Sequence, residues 1–477
     1  MVAQARVMSQ LPTLVVDLDG TLLRTDALWE GLLHLLRNRP WRLLGLLLWL
    51  PRGRAYVKAR IAAESRPAVE LLPYREELLR WLRTERQRGR RIILATAASH
   101  GIGEMIAQQT GLFDAVITST DTVNNRGQEK LRRLRQIIGE EPFEYVGNSM
   151  VDTPIWAAAT AVHVVGTPRF VRRVRRRFPA GHDFLQRWSW RPFLRLLRLH
   201  QWLKNLLVFV PIVLAHRLPE WQLWGMAALA FVALSLVASG LYVVNDLMDV
   251  EADRRHPRKR GRPFASGELP LWIGVVLAPT LIAAGGVVAW LGLPQRFLFV
   301  LGIYGLASAL YSFWLKMVPL VDVVVLAGLY TVRVLAGGWA TGIPLSGWLL
   351  TFAIFLFLSL AFLKRYVELR MTAEAELPRR GYIVEDEALI RSFGTVSGYL
   401  AVLVFVLYAN STAVAQLYRQ PQWLWLSTPL LIYWVAHLWM QAHRRRMSDD
   451  PLVFVLRDPV SYAVAAGLGL ILLLASG

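Results

Sequence analysis

The sequence predicts a multidomain chain, a soluble α/β domain followed by an all-α polytopic membrane bundle of nine helices. Three observations carry this. The first third is charged and broken into short apolar runs of strand length. The remainder is a ladder of apolar runs near the ~20 residues that a bilayer-spanning helix requires. The 477 residues are 55% apolar, with 19 Trp, no Cys and 54 Lys+Arg against 34 Asp+Glu, a formal charge of +20. That composition excludes a disulfide scaffold, a disordered chain and a single compact soluble domain. The lack of Cys removes thiol catalysis and thiolate metal sites. The basic excess is almost all Arg and much of it abuts apolar runs, so the expected partners are a membrane and anionic substrates, not nucleic acid.

The first domain is expected over residues 1–168. Its opening residues, MVAQARVMSQLP, lack the pattern of a signal peptide, so it is expected to stay inside. The run LLGLLLWL at 43–50 is too short to span a bilayer and is flanked by Arg42, Arg52 and Arg54. A buried helix of a helical insertion is predicted there in preference to a membrane-surface helix. Residues 169–198 hold ten arginines, one acid (Asp183), Trp188 and Trp190, and read as a linker and interfacial amphipathic segment. The membrane domain is expected over 199–477, with spans near 203–218, 223–246, 271–291, 296–314, 319–337, 346–363, 397–416, 423–441 and 453–475. Loops after the second, sixth and eighth spans carry Arg254, Arg255, Arg258, Lys259, Arg260 and Arg262; Lys364, Arg365, Arg370, Arg379 and Arg380; and Arg444, Arg445 and Arg446. The positive-inside rule then predicts a multi-pass protein of the bacterial cytoplasmic (inner) membrane with the N-terminal domain and active sites cytoplasmic and the C-terminus outside.

Residues 14–21, LVVDLDGT, read as a buried strand ending in Asp17 and Asp19, followed by Gly and Thr. Alternate strand side chains point to opposite faces, so the turn must bring Asp19 back toward Asp17. A nucleophile and an acid/base acting on one phosphoryl group fit that pair, and a polar strand end is the plain alternative. Three further pieces follow in order: RRIILAT (90–96) delivers Thr96, GQEKL supplies Lys130, and FEYVGNSMVD ends in Asn148 and Asp152.

This ordered set resembles the haloacid dehalogenase superfamily of phosphohydrolases over most of residues 12–168. The resemblance implies a Rossmann-like parallel sheet with a helical cap at about 27–72, Asp17 as nucleophile and Asp19 as general acid/base. It further implies Thr96 and Lys130 as phosphate ligands and a magnesium ion held by Asp17, Asp19, Asn148 and Asp152. Asn148 stands where the family usually has an acid, which removes one charge from the metal site, and both an active phosphatase and a docking or regulatory module stay open.

The second span ends YVVNDLMDVEADRRHPRKRGRPFASG, residues 242–267. At ~100° per residue from Asn245, Asp246 lies at about 100°, Asp249 at about 40° and Asp253 at about 80°, one stripe of four oxygen-bearing side chains. Three acids at a membrane mouth repel one another and need a counter-charge. Magnesium carrying a diphosphate supplies it, since this cation takes oxygen ligands and substrate phosphates. Nearby cations and polar groups are His256, Lys259, Arg260 and Arg262, with Gln201, Lys204 and Asn205 ahead of the first span. Asp322 and Arg333 share one face of the fifth span and are expected to face the bundle interior, where pairing with other charges and substrate contact are both open, as they are for Tyr311 and Lys316.

NDLMDVEAD matches the NDxxDxxxD motif of the UbiA superfamily of intramembrane prenyltransferases, which the chain resembles over roughly 195–477, with ALYSFWLK at 309–316 also similar. Ordinary members carry a second acidic DxxxD motif in the loop after the sixth span; here that loop begins LAFLKRYVEL, with Lys364, Arg365 and Glu368. Two cations replace acids, so this side of the pocket is expected to bind phosphate directly. One magnesium pole and several cationic poles suit phosphoribosyl diphosphate, which has two separated phosphate groups. HQWLKN, NDLMDVEAD with HPRKRGRPFASG, and LKRYVEL most resemble the decaprenyl-phosphate phosphoribosyltransferase branch. That resemblance implies attack by a polyprenyl phosphate oxygen on the anomeric carbon, with magnesium on Asp246, Asp249 and Asp253 and phosphates held by Lys259, Arg262, Lys364 and Arg365. The first domain would then remove the 5-phosphate. The alternative is a prenyltransferase using a prenyl diphosphate and an aromatic acceptor, with the first domain non-catalytic. An oligomer remains open.

Overall fold

The computed structural model describes residues 11–120, 122–178, 181–187, 189–371, 380–447 and 450–476. The apolar run TLVV forms β1 (Thr13–Val16), all four residues buried, as a parallel strand covered on both faces requires. On one side β1 pairs with β2 (Ile92–Ser99) and then β3 (Ala115–Ser119); on the other it pairs with β4 (Phe143–Gly147), β5 (Ala161–Gly166) and β6 (Asp183–Leu185). Every pairing is parallel, in the order β3-β2-β1-β4-β5-β6. The two-residue period sends Leu14, Val16, Ile92 and Leu94 into one core and Val15, Ile93 and Ala95 into the other.

The sixth strand corrects the expected boundary at residue 168. α8 (Pro168–Arg175) buries Val171 and Val174 against one face and β6 buries Phe184 against the other, so part of the arginine-rich stretch completes the sheet. Trp190 is exposed ahead of α9 (Arg191–Leu197), and Trp188 lies outside the described residues. Between β1 and α4 (Glu76–Gln87) stands the cap: α1 (Ala27–Asn38), α2 (Gly45–Trp49) and α3 (Arg54–Glu64). α1 packs on α3 so closely that a Cβ on Gly31 would lie 2.9 Å from Ile61. The helical insertion is present, but among the described side chains of 43–50 none is buried, and Leu48 and Leu50 are exposed, with Trp41. The five-residue α2, bracketed by Pro40 and Pro51, lies beyond the part of α1 that carries the inward residues Ala27, Gly31, Leu33 and Leu35. The other connections carry α5 (His100–Thr110), α6 (Gln128–Ile138) and α7 (Thr153–Ala158).

Two compact units divide the chain, residues 1–197 with 242–278 and residues 198–241 with 279–477. The second unit begins with 3₁₀ turns at Leu199–Phe209 and the short α10 (Val210–Leu214). α11 (Trp221–Met248) and α13 (Leu271–Gly292) run through the division, and α12 (Val250–Arg255) lies in the first unit. Then follow α14 (Gln295–Phe313), α15 (Val321–Thr341), α16 (Gly347–Met371), α17 (Glu387–Ala409), α18 (Thr412–Leu417), α19 (Ser427–His443), α20 (Pro451–Val455) and α21 (Pro459–Ser476). Val323, Tyr330, Phe357, Leu363, Val402 and Trp439 belong to one core joining α15, α16, α17 and α19. The carbonyl of Val208 lies against Gly337 of α15, where a Cβ would be 2.1 Å away, so only glycine admits this approach.

The helices establish a polytopic membrane protein, but nine spans are not met. Among the described residues seven helices are long and apolar enough to cross a membrane, eight if Arg191–Leu197 and Leu199–Leu214 count as one bent span. The first expected span holds buried Lys204 and Asn205 and is interrupted by Pro211, and the eighth, α19, reaches only 17 residues. A second correction concerns LAFLKRYVEL, which is helix, not loop: α16 continues through Lys364, Arg365 and Glu368 to Met371.

Candidate active sites

In the first unit the chain leaves β1 at Asp17 and turns at Gly20, φ +73°, where a Cβ would stand 2.1 Å from the amide nitrogen of Asn148. The positive φ favours glycine here, and a side chain would also displace the Asn148 amide. Lys130 of α6 donates to Asp17 Oδ1 at 2.8 Å and to the Tyr145 hydroxyl at 3.0 Å, and lies 3.8 Å from Asp152 Oδ1. Thr21 donates to Asp17 Oδ2 at 3.1 Å, and Tyr145 donates to Asp152 Oδ1 at 3.2 Å. Asp17, Thr96, Lys130 and Asp152 are buried and Asn148 is half-buried. Thr96 Oγ1 accepts from the Ala98 amide at 2.9 Å, while buried Asn125 donates to the Thr96 and Ile117 carbonyls at 2.9 and 3.3 Å, tying β2 to β3.

The electrostatics divide the carboxylates. Burial opposes the Lys130 charge, yet Asp17 and Asp152 outweigh it and hold the lysine above its ordinary value, so it stays cationic. Burial pushes Asp152 up to about 6 against the pull of Lys130. Asp19 goes up to about 8 through burial and then the nearby Asp26 charge, despite accepting the Ala27 amide at 2.8 Å at the start of α1. Asp152 Oδ2 is buried and accepts no hydrogen bond among the described residues. An all-oxygen set of Asp17, Asn148 and Asp152 with one orphaned oxygen fits a hard divalent cation. No three acids or histidines among the described residues converge closely enough to cage a metal, so such an ion would also need substrate or water oxygens.

The acidic stripe lies in the same unit. Backbone hydrogen bonds Asp249 N to Asn245 O and Asp253 N to Asp249 O, 2.9 and 2.8 Å, carry the helical repeat from α11 into α12 and keep the acids on one side. Arg262 Nη1 donates to Asp253 Oδ2 at 2.7 Å and to Asp246 Oδ1 at 3.2 Å, and Asn245 donates to Asp249 Oδ2 at 3.1 Å. The expected counter-charge is thus present in the chain, and Arg262 stands on carboxylates where a phosphate contact was expected. Burial pushes Asp253 up against the opposing pull of Arg262. His256, Lys259 and Arg260 are exposed, and His256 Nδ1 accepts the Arg258 amide at 3.2 Å.

In the second unit Lys204 pairs with Asp450 at 2.6 Å, and Arg333 donates to Asn205 Oδ1 at 2.8 Å and to the Tyr304 hydroxyl at 3.0 Å. Asn205 in turn donates to Ser235 at 2.9 Å. Arg365, fully buried, meets Asp322 at 2.8 Å and also pairs with Glu368; Tyr382 donates to Asp322 at 2.6 Å. Arg380 reaches Glu368 at 3.6 Å and the Tyr311 hydroxyl at 3.2 Å. Asp322, Arg333 and Arg365 are therefore engaged with protein groups. A buried charge without such partners is too costly to hold. Lys364 differs: it is half-buried and has no ion pair within 4.0 Å among the described residues. Gln201, Tyr311 and Lys316 are half-buried.

Asp450 was not foreseen. It caps α20 by accepting the Leu452 amide at 3.1 Å, and although burial opposes its charge, Lys204 and Lys364 hold it below the usual carboxylate range. An acid just before a proline and an apolar run is the signal that could have found it. Tyr145, Asn125 and Tyr382 carried no such signal, because their roles arise from tertiary contacts.

The profile of the UbiA prenyltransferase family matches residues 206–458, and that of the haloacid dehalogenase-like hydrolases matches residues 14–157. The uncharacterized protein y4nM of Sinorhizobium fredii is 34% identical over 95% of this chain and 89% of its own length. The nodulation protein NoeC of Azorhizobium caulinodans is 38% identical over 57% of this chain and 89% of its own. The decaprenyl-phosphate phosphoribosyltransferase of Mycolicibacterium smegmatis is 35% identical over 46% of this chain and 70% of its own.

Proposed function

Because the chain belongs to the UbiA prenyltransferase family and carries a haloacid dehalogenase-like domain ahead of that region, we propose that it transfers 5-phosphoribose from phosphoribosyl diphosphate to a polyprenyl phosphate. The N-terminal domain then removes the 5-phosphate, leaving polyprenyl phosphoryl ribose. Both reactions are assigned to the cytoplasmic face of a bacterial inner membrane. The observation that carries the reading is Lys364, a cation without an ion pair among the described residues, in the segment where prenyl diphosphate users are expected to carry acids.

Asp246, Asp249 and Asp253 are the residues to hold magnesium, which when bound neutralises charge on the departing diphosphate. Arg262, which donates to Asp246 and Asp253, is assigned a phosphate contact, and Lys364 is assigned the ammonium group that offsets repulsion between two anionic reactants. The lipid phosphate oxygen forms the new bond to the anomeric carbon, and the diphosphate leaves with the bonding pair. The lipid phosphate is already ionised, so no strong base is needed.

In the N-terminal domain Asp17, gripped by Thr21 and Lys130, attacks phosphorus. Asp19, whose carboxyl burial pushes up to about 8, protonates the departing ribose oxygen and then takes a proton from the water that hydrolyses the aspartyl phosphate, which frees Asp17 and releases inorganic phosphate. Thr96 and Lys130 bind the phosphoryl oxygens, and Asp17, Asp19, Asn148 and Asp152 are the residues to hold magnesium. One chain gives the second site a high effective concentration of the first site's product.

The test is the mass of the lipid formed by full-length protein from polyprenyl phosphate and phosphoribosyl diphosphate with magnesium. The expected product has gained ribose without its 5-phosphate, and Asp17→Asn stops at the 5-phosphorylated lipid. Wild-type protein that also stops there contradicts the role given to the N-terminal domain.

A further inference from the structure

The cap has a feature that neither reaction uses. Trp41, Leu48 and Leu50 are 64%, 75% and 61% exposed at its tip, in a domain that otherwise has two well-filled cores. Residues 31–63 carry seven Lys and Arg and no Asp or Glu, and Arg39, Arg42 and Arg52 are exposed at the tip itself, Arg42 also reaching Glu64 at 3.5 Å. An apolar patch rimmed by cations matches an anionic bilayer surface, where Trp, Leu and Arg divide between acyl chains and headgroups.

Contacts within the first unit tie the cap to the segment that follows α11. Buried Glu30, early in α1, receives two hydrogen bonds from Arg254 of α12, at 2.7 and 3.0 Å. Two turns later Arg37 pairs with Glu251 at 3.4 Å. Glu251 lies three residues beyond Met248, where the spanning helix α11 ends, and Arg254 lies three residues further on. The exposed tip begins two residues after Arg37.

We propose that the cap tip, residues 39–53, docks on the membrane surface, with Trp41, Leu48 and Leu50 entering the interfacial layer and Arg39, Arg42 and Arg52 meeting anionic lipid phosphates. A second copy of the chain is a poorer occupant, because a two-fold contact would set this acid-free cationic stretch against itself. The inference rests on α11 crossing the bilayer and not on the substrates assigned above.

The Cys-free chain makes the test direct. Full-length Leu48→Cys and, separately, Leu50→Cys are labelled with an environment-sensitive fluorophore and reconstituted into vesicles of phosphatidylcholine and phosphatidylglycerol. Glu140→Cys, on an exposed turn after α6, is the aqueous control. Both tip labels are expected to be quenched several-fold more strongly than the control by lipids with a spin label high on the acyl chain, and several-fold less by aqueous iodide. Iodide quenching equal to the control overturns the proposal. Protection from iodide without quenching by spin-labelled lipid also overturns it, since that marks a protein occupant.

Discussion

The N-terminal pocket and the charged ends of the membrane helices solve the same problem, acids and bases crowded out of water, in different ways. In the pocket one lysine serves two carboxylates: Lys130 touches Asp17 and approaches Asp152, and an oxygen of Asp152 is left over. In the membrane unit nearly every strong charge already has a counterpart, Arg365 with Asp322, Arg333 with Asn205 and Tyr304, Lys204 with Asp450. The difference teaches how to read charges in a lipid-facing bundle. An unmatched charge is expensive there, so a motif cation is first a structural partner, and Lys364, which lacks an ion pair among the described residues, is the better substrate candidate.

The largest test of that contrast is Asp17→Asn, expected to lower dephosphorylation of the lipid by at least ~10³-fold while leaving ribosyl transfer intact, measured by separate assay of the two products. A parallel loss of transfer would erase the distinction between the sites. Next is Arg365→Met, which leaves Asp322 with the Tyr382 hydroxyl and the more distant Arg380, and Glu368 with Arg380. It is expected to cost roughly 3–5 kcal/mol in stability, read as a fall in unfolding midpoint in detergent, with Asp322→Asn in the same chain restoring part of it. Lys364→Met is expected to preserve that midpoint and to weaken use of phosphoribosyl diphosphate by roughly 10–100-fold, consistent with loss of a charge-assisted phosphate contact. If the two variants behave alike, the separation between structural and substrate-facing cations fails.

The smallest effect is on pH. His163 of β5 sits 2.8 Å from Glu144, and burial holds it below its ordinary value of about 6.5 although Glu144 pulls the other way. The unfolded chain binds this proton first, so the His163 contribution is complete above about pH 6.5 and is lost as pH falls below it. Unfolding midpoints at a series of pH values should show a modest decline on the acid side, reduced in His163→Gln.

Legibility in the sequence followed from the kind of element. In the N-terminal domain Asp17 and Asn148 directly follow the neighbouring parallel strands β1 and β4, so their approach was legible from the strand pattern, while Thr96 within β2, Lys130 on α6 and Asp152 were picked out by the resemblance of their motifs. The acidic stripe was readable from helical phase, because backbone hydrogen bonds carry the repeat past Asp249. The partner of each membrane charge was not, since Arg365 and Asp322 stand on different helices and nothing local joins them. The run at 43–50 was misjudged for a related reason: its apolarity is visible, but what covers it depends on where the hairpin of α1 and α3 ends.

The central claim is the identity of the transferred group. Full-length protein in detergent with magnesium is offered phosphoribosyl diphosphate and polyprenyl phosphate together with a prenyl diphosphate and an aromatic acceptor, and consumption of each is followed by mass. The account predicts loss of phosphoribosyl diphosphate only when polyprenyl phosphate is present, with the prenyl diphosphate untouched. Prenylation of the aromatic acceptor with phosphoribosyl diphosphate left intact would contradict it.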